Sequence, residues 1–262
     1  MSFLAVVGTE IRKLRRSKVT WITFGVYVVM VFFAALFLWM VMNPASAKGL
    51  GLITAKAQLS LGAVSADAEG LLSFAVQMGG LGGSVMAAIV VTFVFGREYT
   101  EGMAKYLLVL PVPRARFVLA KILVSAAWFT LLTLWLLPLA WTASAVLGLR
   151  GMSAGLLAST GLKLLELAAM SVCCSALVAW VAVETRGYFA PLGFTIGTIV
   201  LGSVLGHTGW GPWVPWTIVG LYSGAAGPGA VPGWPSLLVM AATFALGMTL
   251  TVRHEVRADN VQ

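Results

Sequence analysis

The sequence predicts an all-α, polytopic membrane protein with six transmembrane helices. Of its 262 residues, 60% are hydrophobic and only 10% are charged, whereas a soluble domain carries roughly 25% charged residues. The mean hydropathy is +0.95. The apolar residues form long unbroken runs, and a helix needs about 20 of them to cross a bilayer. A membrane β-barrel would instead show alternating segments of about 10 residues.

The first 18 residues predict an amphipathic helix on the membrane surface. A cleaved signal peptide places its positive charges before its apolar stretch, but here the mildly apolar segment 1–8 precedes them. The basic residues that follow are Arg12, Lys13, Arg15, Arg16 and Lys18. Because basic side chains suit the head-group region, we expect an interfacial helix over 1–18 rather than a signal peptide.

Six apolar segments follow within a single transmembrane domain, 1–262. They cover about 19–42, 71–95, 122–147, 164–183, 188–205 and 236–252. At 1.5 Å per residue, each can cross a hydrocarbon layer of roughly 30 Å, the last two only just. Pro138 is expected to kink the third segment, which neighbouring helices tolerate in a membrane.

The distribution of Lys and Arg predicts that both termini are cytoplasmic. Thirteen of the 17 basic residues fall on the side of the termini, and four fall on the other side. Cytoplasmic loops carry an excess of Lys and Arg, and an even number of spans agrees with this orientation. The protein is therefore expected in the cell membrane. Its basic residues cluster at the membrane boundary, so they do not indicate binding of nucleic acid.

The two longer outer connections, about 43–70 and 206–235, differ in character. The first is polar and rich in small residues, and it suits either a short external helix or a flexible loop. The second carries Trp210, Trp213 and Trp216, and tryptophan prefers the membrane interface. For 206–235, a shallow re-entrant element and a plain interfacial loop both stay open.

Ionisable side chains give little indication of chemistry within the chain. The sequence contains no Gly-x-x-x-x-Gly-Lys-Ser/Thr nucleotide loop and no metalloprotease or serine-hydrolase motif. Cys173 and Cys174 are interpreted as small buried residues. Glu166 is the clear ionisable residue inside a span, and we expect it to pair with Lys163 one turn earlier. We therefore predict no catalytic, cofactor-binding or metal-binding residue.

Two pairs of glycines predict close approach of helices. Gly79 and Gly83 lie in the second segment, and Gly193 and Gly197 lie in the fifth. Small residues at this spacing let helix backbones come close together. They fit packing inside the bundle, a subunit interface or a groove that lines the path of a substrate, and the sequence does not separate these alternatives.

A dense charged block, 97–121, lies between the second and third segments. A helix is predicted over 98–110, and Pro111 ends it because proline cannot continue a helix. A loop that obeys the positive-inside rule explains the basic residues of the block. It does not explain the acids Glu98 and Glu101 among them. Those carboxylates suit a basic surface on a soluble cytoplasmic partner.

This block resembles the signature of type-2 ABC-exporter permeases. Those proteins place Arg-Glu-x-x-x-Gly-Thr at the end of span two, then Leu-Leu-x-x-Pro-Val-x-Arg, and then a lysine that opens span three. The corresponding residues here are Arg97–Met103, Leu107–Arg114 and Lys121, with Met103 in place of the usual threonine and Pro113 in place of a common serine. Residues 10–18 are similar to the elbow helix of that family. The nearest similarity is to small bacterial permeases of the bacitracin-resistance and lantibiotic-immunity kind.

The resemblance implies a half-transporter that moves a hydrophobic or amphipathic substrate outward. A separate cytoplasmic ABC ATPase would bind ATP and Mg²⁺. It would act on residues 97–116, the cytoplasmic coupling segment, with its coupling helix, between spans two and three. A second permease subunit, identical or different, would face this one within the membrane lipid. The residues that the resemblance implies for docking of the ATPase are Arg97, Glu98, Tyr99, Glu101, Gly102, Pro111 and Arg114. Among them, the two acids would contact the ATPase, the glycine would allow close approach of the backbone, and the proline would fix the turn.

Two other functions fit the same segments. One is a membrane assembly or immunity factor that binds a lipid or a peptide without pumping it. The other is an ion-coupled secondary transporter that relies on Glu166, since ionisable residues within spans mark ion pathways. ATP-dependent transport with a partner ATPase would separate the permease from both.

Overall fold

The computed structural model describes residues 3–51, 65–100, 102, 113–225 and 232–257. Every regular element in these ranges is a helix, which confirms the predicted all-α fold. The elements are α1 (Phe3–Arg16), α2 (Lys18–Met42), α3 (Pro44–Gly49), α4 (Ala68–Thr100), α5 (Arg114–Leu134), α6 (Leu136–Leu147), α7 (Ala154–Thr185), α8 (Phe189–Leu205), a 3₁₀ turn (Gly211–Trp213), α9 (Pro215–Ser223) and α10 (Trp234–Arg257).

Five stretches are long and apolar enough to cross a membrane, namely α2, α4, the pair α5–α6, α7 and α10. α8 is also apolar but has 17 residues, and it measures about 26 Å at 1.5 Å per residue. These helices cover the six apolar segments, so the predicted polytopic membrane fold is confirmed. α4 and α7 have 33 and 32 residues. Both exceed the roughly 20 residues that a span needs, so part of each extends beyond the hydrocarbon layer.

The third segment is broken where α5 meets α6. α5 ends at Leu134 and α6 begins at Leu136, with Trp135 between them. Pro138 has no N–H to bond the carbonyl of Leu134, and its ring crowds that carbonyl. The predicted kink therefore lies one turn before the proline that causes it.

The centre of the bundle is formed by α4 and α7, and α10 makes its most extensive helix pair with α7. A Cβ added at Gly247 would lie 2.6 Å from the backbone nitrogen of Leu177. The backbones of α10 and α7 are therefore in direct contact, as small residues permit. α2 lies at the edge of the bundle, and its Trp21 and Phe32 are 77% and 61% exposed, as suits a helix that faces lipid.

The two predicted glycine pairs have opposite environments. A Cβ added at Gly79 would lie 3.2 Å from Leu136 Cδ1, and one at Gly83 would lie 3.5 Å from Phe129 Cζ. These two glycines pack inside the bundle. Within the described part of the chain, no atom of another element lies within 4 Å of a Cβ added at Gly193 or Gly197, so these two glycines make no close helix contact there. A role for them at a subunit interface stays a prediction.

The described part of 206–235 is more than a surface loop. Trp210 and Trp213 are exposed, as interfacial residues should be, but α9 packs against α4 and α8 with Trp216 buried. Thr217 donates a hydrogen bond to the carbonyl of Gly202 on α8 at 3.0 Å. The insertion of a short helix between longer ones favours the re-entrant element over the plain interfacial loop.

Two predicted features lie largely outside the described residues. The cytoplasmic helix over 98–110 is one, since the structure describes it only as far as Thr100, with Gly102 in addition. The first outer connection is the other, and there the structure describes the short helix α3 and then residues 65–67. α1 forms the predicted amphipathic helix and packs on α5, and its position on the membrane surface stays a prediction.

Candidate functional site

Several helix ends that are distant in sequence meet at one end of the bundle, which we call the charged end. It comprises α1, the start of α2, the end of α4, the start of α5, and the ends of α7 and α10. Side-chain contacts between different helices hold the charged end together. They join Glu98 to Lys13 and Lys121, Tyr99 to Glu255, Thr100 to Tyr188, and His254 to Glu184. The charged block found in the sequence begins here.

At the centre of the charged end is a group of four side chains, Glu10, Lys13, Glu98 and Lys121, which we call the Glu98 network. One carboxylate oxygen of Glu98 pairs with Lys121, and the other lies 3.4 Å from Lys13 Nζ. Lys13 Nζ also lies 2.6 Å from Glu10 Oε1. The network thus balances two carboxylates with two ammonium groups and joins α1, α4 and α5.

Three members of the network, Glu10, Glu98 and Lys121, are buried, and Lys13 is half-buried, which makes the pairing of Glu98 with Lys121 energetically important. Glu98 is 8% exposed and Lys121 is 3% exposed. Lys121 Nζ lies 5.1 Å from the centre of the Phe95 ring, an arrangement that favours a cation. Burial of an isolated charge costs several kcal/mol, and removing one partner of a buried pair costs about 3–5 kcal/mol. The three helices are therefore held in one relative position at this point.

Lys13 stays positively charged within the network. Burial alone would lower its pKa, but the neighbouring carboxylates of Glu10 and Glu98 outweigh burial and raise the pKa of Lys13 above its ordinary value of 10.5. Lys13 is therefore an ammonium ion at neutral pH, and it links α1 to α4 by charge as well as by packing.

A second set of contacts, which we call the Glu255 clamp, connects α10 with both sides of the charged block. The hydroxyl of Tyr99 donates to Glu255 Oε1 at 2.7 Å, and Arg114 Nη1 donates to the backbone carbonyl of Glu255 at 2.7 Å. Tyr99 precedes residues 103–112 and Arg114 follows them. Both ends of that segment are therefore attached to the same residue of α10.

The structure shows the surroundings of two of the predicted docking residues, Glu98 and Gly102. Glu98 is buried and its carboxylate faces two lysines of its own chain, and its role in docking of the ATPase stays a prediction. No described residue outside its chain neighbours lies within 4 Å of a Cβ added at Gly102, and its φ of +67° is a backbone conformation that favours glycine. Its N–H donates to the carbonyl of Tyr99 at 3.3 Å, so Gly102 ends the helix in a left-handed turn.

The other docking residues lie around the same point or outside the described part of the chain. Arg97 is half-buried, 5.6 Å from the centre of the Phe93 ring. Tyr99 and Arg114 are half-buried in the Glu255 clamp. Glu101 and Pro111 lie outside the described residues, so their role in docking stays a prediction.

Sequence reasoning missed Glu10 and Glu255 as members of the charged end. Glu10 carried one signal, since it is an acid within a basic helix and lies three residues before Lys13. Glu255 carried none, because its two partners are more than 140 residues away along the chain.

The opposite end of the bundle holds a polar cleft of about 570 Å³ between α4, α7 and α9. Glu69, Gln77, Lys163 and Tyr222 are among the residues that line it. The hydroxyl of Tyr222 donates to the carboxylate of Glu166. Among the described residues no ion pair joins Glu166 to Lys163, so that predicted pair is wrong, and Tyr222 takes the place of the lysine.

Comparison with known proteins places this chain among membrane transporters. Residues 6–202, about three quarters of the chain, match the family described as ABC-2 family transporter protein. The chain is also similar to the bacitracin transport permease protein BCRB of Bacillus licheniformis, with 26% identity over 182 residues that cover 68% of this chain and 85% of the relative. The family match includes the whole Glu98 network and ends before α9 and α10.

Proposed function

Because the chain belongs to the ABC-2 transporter family, and is thus a membrane permease of an ABC transporter, we propose that it serves an ATP-driven exporter. In this proposal a hydrophobic or amphipathic compound moves outward, and a separate cytoplasmic ATPase provides the energy. The sequence contains no Gly-x-x-x-x-Gly-Lys-Ser/Thr loop with which to cradle nucleotide phosphates. ATP and Mg²⁺ would accordingly bind to the partner.

The observation that carries the proposal is the attachment of the charged block to the bundle. The Glu98 network fixes the end of α4 to α1 and α5, and the Glu255 clamp fixes both sides of residues 103–112 to α10. A push on that segment would therefore move several spans together rather than one loop. Interfaces of this kind switch between discrete arrangements instead of deforming gradually.

The roles of the predicted docking residues follow from this arrangement. Glu101 and Gly102 are the proposed contacts for the ATPase, together with Pro111 at the following turn. Glu98 has a positioning role instead, because its pairs with Lys13 and Lys121 transmit movement without touching the partner. With the positive-inside rule, the charged end and both termini would face the cytoplasm of the cell.

A second permease subunit would complete the transporter, and α8 offers a face for it. Gly193 and Gly197 are open on that helix, and Phe189, Ile196 and Val200 beside them are more than half exposed. These positions recur at helical spacing, so they form one apolar stripe interrupted by small residues. A partner of the same sequence or a related one fits this stripe.

The polar cleft at the opposite end supports an amphipathic cargo. It contains one acidic and one basic residue, Glu69 and Lys163, beside the apolar Leu72, Val76 and Leu156. The relative from Bacillus licheniformis is named for transport of bacitracin, which is a peptide antibiotic. We propose the same class of compound for this chain.

The test is transport by the reconstituted complex. The permease would be co-expressed with a candidate ABC ATPase from the same genome, purified, and placed in liposomes together with bacitracin or a lipophilic cation. We expect movement that requires ATP and that stops when the catalytic carboxylate of the ATPase is replaced. Binding without movement would favour an assembly or immunity factor. Movement that follows a proton gradient without ATP, and that Glu166→Gln abolishes, would favour a secondary transporter.

A further inference from the structure

A basic cleft of about 600 Å³ lies at the charged end, between α1, the start of α2 and α4. Five cationic side chains line it, those of Arg12, Lys13, Arg16, Lys18 and Arg97, and none of the described residues that line it is acidic. Its volume falls within the range of roughly 300–1,000 Å³ that is usual for small-molecule sites. The cleft therefore combines room for a ligand with a strong preference for negative charge.

The positive charge of the cleft is balanced in part, because Lys13 pairs with Glu10 and Glu98, whereas the charges of Arg12, Arg16 and Lys18 have no acidic partner among the described residues. The carboxylates of Glu10 and Glu98 pair with Lys13 and Lys121 of the Glu98 network. Among the described residues, no carboxylate forms an ion pair with Arg12, Arg16 or Lys18. Side chains of like charge that converge without a counter-ion repel one another, and an anion bound among them would remove that repulsion.

The start of α2 adds a second, independent indication of an anion. Ser17 occupies the N-cap position, but its side chain makes no capping hydrogen bond, and the first turn of α2 contains no acidic residue. The hydroxyl oxygen of Ser17 is buried and has no hydrogen-bond partner among the described residues. A helix N-terminus with free N–H groups and a positive dipole end attracts phosphate, and Ser17 lines the basic cleft.

We propose that the basic cleft binds the phosphate group of an anionic phospholipid. The surroundings favour a lipid over a free phosphate ion because apolar surface adjoins the cleft. Phe93 lines it, and Trp21 and Ile22 on the first turns of α2 are 77% and 61% exposed, where acyl chains would lie. Basic pockets between transmembrane helices on the cytoplasmic side suit such head groups.

The bound lipid would act on the charged end through Lys13, which lines the cleft and also contacts Glu98. It would hold α1 and the start of α2 against α4 at the place where these helices are joined by charge. Binding of the lipid itself does not depend on export or on the ATPase, so it can be measured on the permease alone.

The experiment is a lipid titration of the purified full chain in a non-ionic detergent, read by native mass spectrometry. The probes are phosphatidylglycerol and phosphatidylcholine with identical acyl chains, and inorganic phosphate is the competitor. The test variant is Arg12→Gln, Arg16→Gln and Lys18→Gln combined. The charge-matched control is Arg116→Gln, Arg253→Gln and Arg257→Gln combined, since these exposed residues share the charged end but do not line the cleft.

We expect the protein to retain phosphatidylglycerol in preference to phosphatidylcholine. The test variant should bind phosphatidylglycerol at least about tenfold more weakly, because each basic residue near an anionic lipid is worth roughly fivefold in affinity. The control variant should stay close to the original. If the triple variant does not fold, Arg16→Gln alone should still weaken binding by roughly fivefold.

Three results would overturn the proposal. No preference for phosphatidylglycerol, or equal loss in the test and control variants, would show that only general charge matters. Displacement of the lipid by millimolar inorganic phosphate would assign the cleft to a free anion. Normal lipid binding by the test variant, with loss of ATPase co-purification, would assign the cleft to the protein partner.

Discussion

Replacement of Glu98 by glutamine should destabilise the protein strongly, although glutamine has nearly the same shape. The change leaves Lys121 buried, 3% exposed, without its carboxylate. The Phe95 ring would be its remaining favourable contact. Lys13 is affected less, because Glu10 stays 2.6 Å away. Loss of one partner of a buried pair costs about 3–5 kcal/mol, and we expect a decrease of about 3 kcal/mol in the free energy of unfolding.

A double-mutant cycle separates the pair from its surroundings. Lys121→Met removes the other charge, and the combined Glu98→Gln and Lys121→Met variant leaves no buried unpaired charge between the two positions. Replacing both members of a buried pair is often close to neutral. We therefore expect the combined variant to recover most of the loss, with a coupling energy of at least about 2 kcal/mol.

The assay is equilibrium unfolding in mixed micelles, followed by circular dichroism for the four proteins of the cycle. Glu69→Gln is the matched control, because Glu69 lies on the same helix, is exposed, and should change stability by less than about 1 kcal/mol. The reasoning would be refuted if Glu98→Gln behaved like Glu69→Gln, or if the two changes of the cycle were additive.

Three further predictions concern other contacts. Gly247→Ala should force α10 away from the backbone of α7 and lower the free energy of unfolding by about 1–3 kcal/mol. Gly193→Ala should be nearly neutral, because no described residue of another element lies near an added Cβ there. Equal effects of the two substitutions would contradict the close packing of α10 on α7. Neighbouring carboxylates raise the pKa of Lys13, so the contribution of Lys13 to stability should be full below pH 10.5 and should be lost as the pH rises further. Thermal unfolding of the original protein and of Lys13→Met would measure this contribution. A stability difference between the two proteins that already disappears between pH 7 and 9 would be inconsistent with the prediction. Tyr99→Phe removes the hydrogen bond to Glu255. We expect a clear decrease in the rate of ATP-driven transport and a small change in the melting temperature, with both measured on the same preparation. An unchanged transport rate would argue against the Glu255 clamp.

The helices could be predicted from the sequence because the membrane imposes a simple rule. Any span must be a run of about 20 apolar residues, and each such run became a helix or a pair of helices. The ends of α4 and α7 were less predictable. Both helices continue beyond their apolar parts, and residues such as Glu98 and Glu184 at these ends are charged but paired within the protein.

The arrangement of the charged end could not be read from the sequence. Glu98 was recognised as unusual, but whether it faces a partner or its own chain depends on how α1 and α5 pack, which periodicity does not define. Gly79 and Gly193 illustrate the same limit, since each begins a pair with identical spacing. Gly79 packs against Leu136, whereas Gly193 has no described residue of another element near it.

Gly102 has a structural reason to be glycine that the residue type alone does not reveal. The resemblance drew attention to it as a place for close backbone approach. That role stays a prediction, and the structure adds a positive φ just after α4, a conformation that glycine adopts without a steric penalty. The backbone angle that requires glycine depends on the turn after the helix, which the residue type alone does not specify.

If the charged end of α4 couples ATP hydrolysis by a partner to movement of the spans, the yield of export per ATP depends on the Glu98 network. The most direct test is the number of substrate molecules exported per ATP hydrolysed, measured in liposomes for the combined Glu98→Gln and Lys121→Met variant. If the network transmits force, this variant should fold, bind the ATPase and hydrolyse ATP, but export far fewer molecules per ATP than the unmodified complex. An unchanged ratio in a folded, assembled complex would contradict the claim.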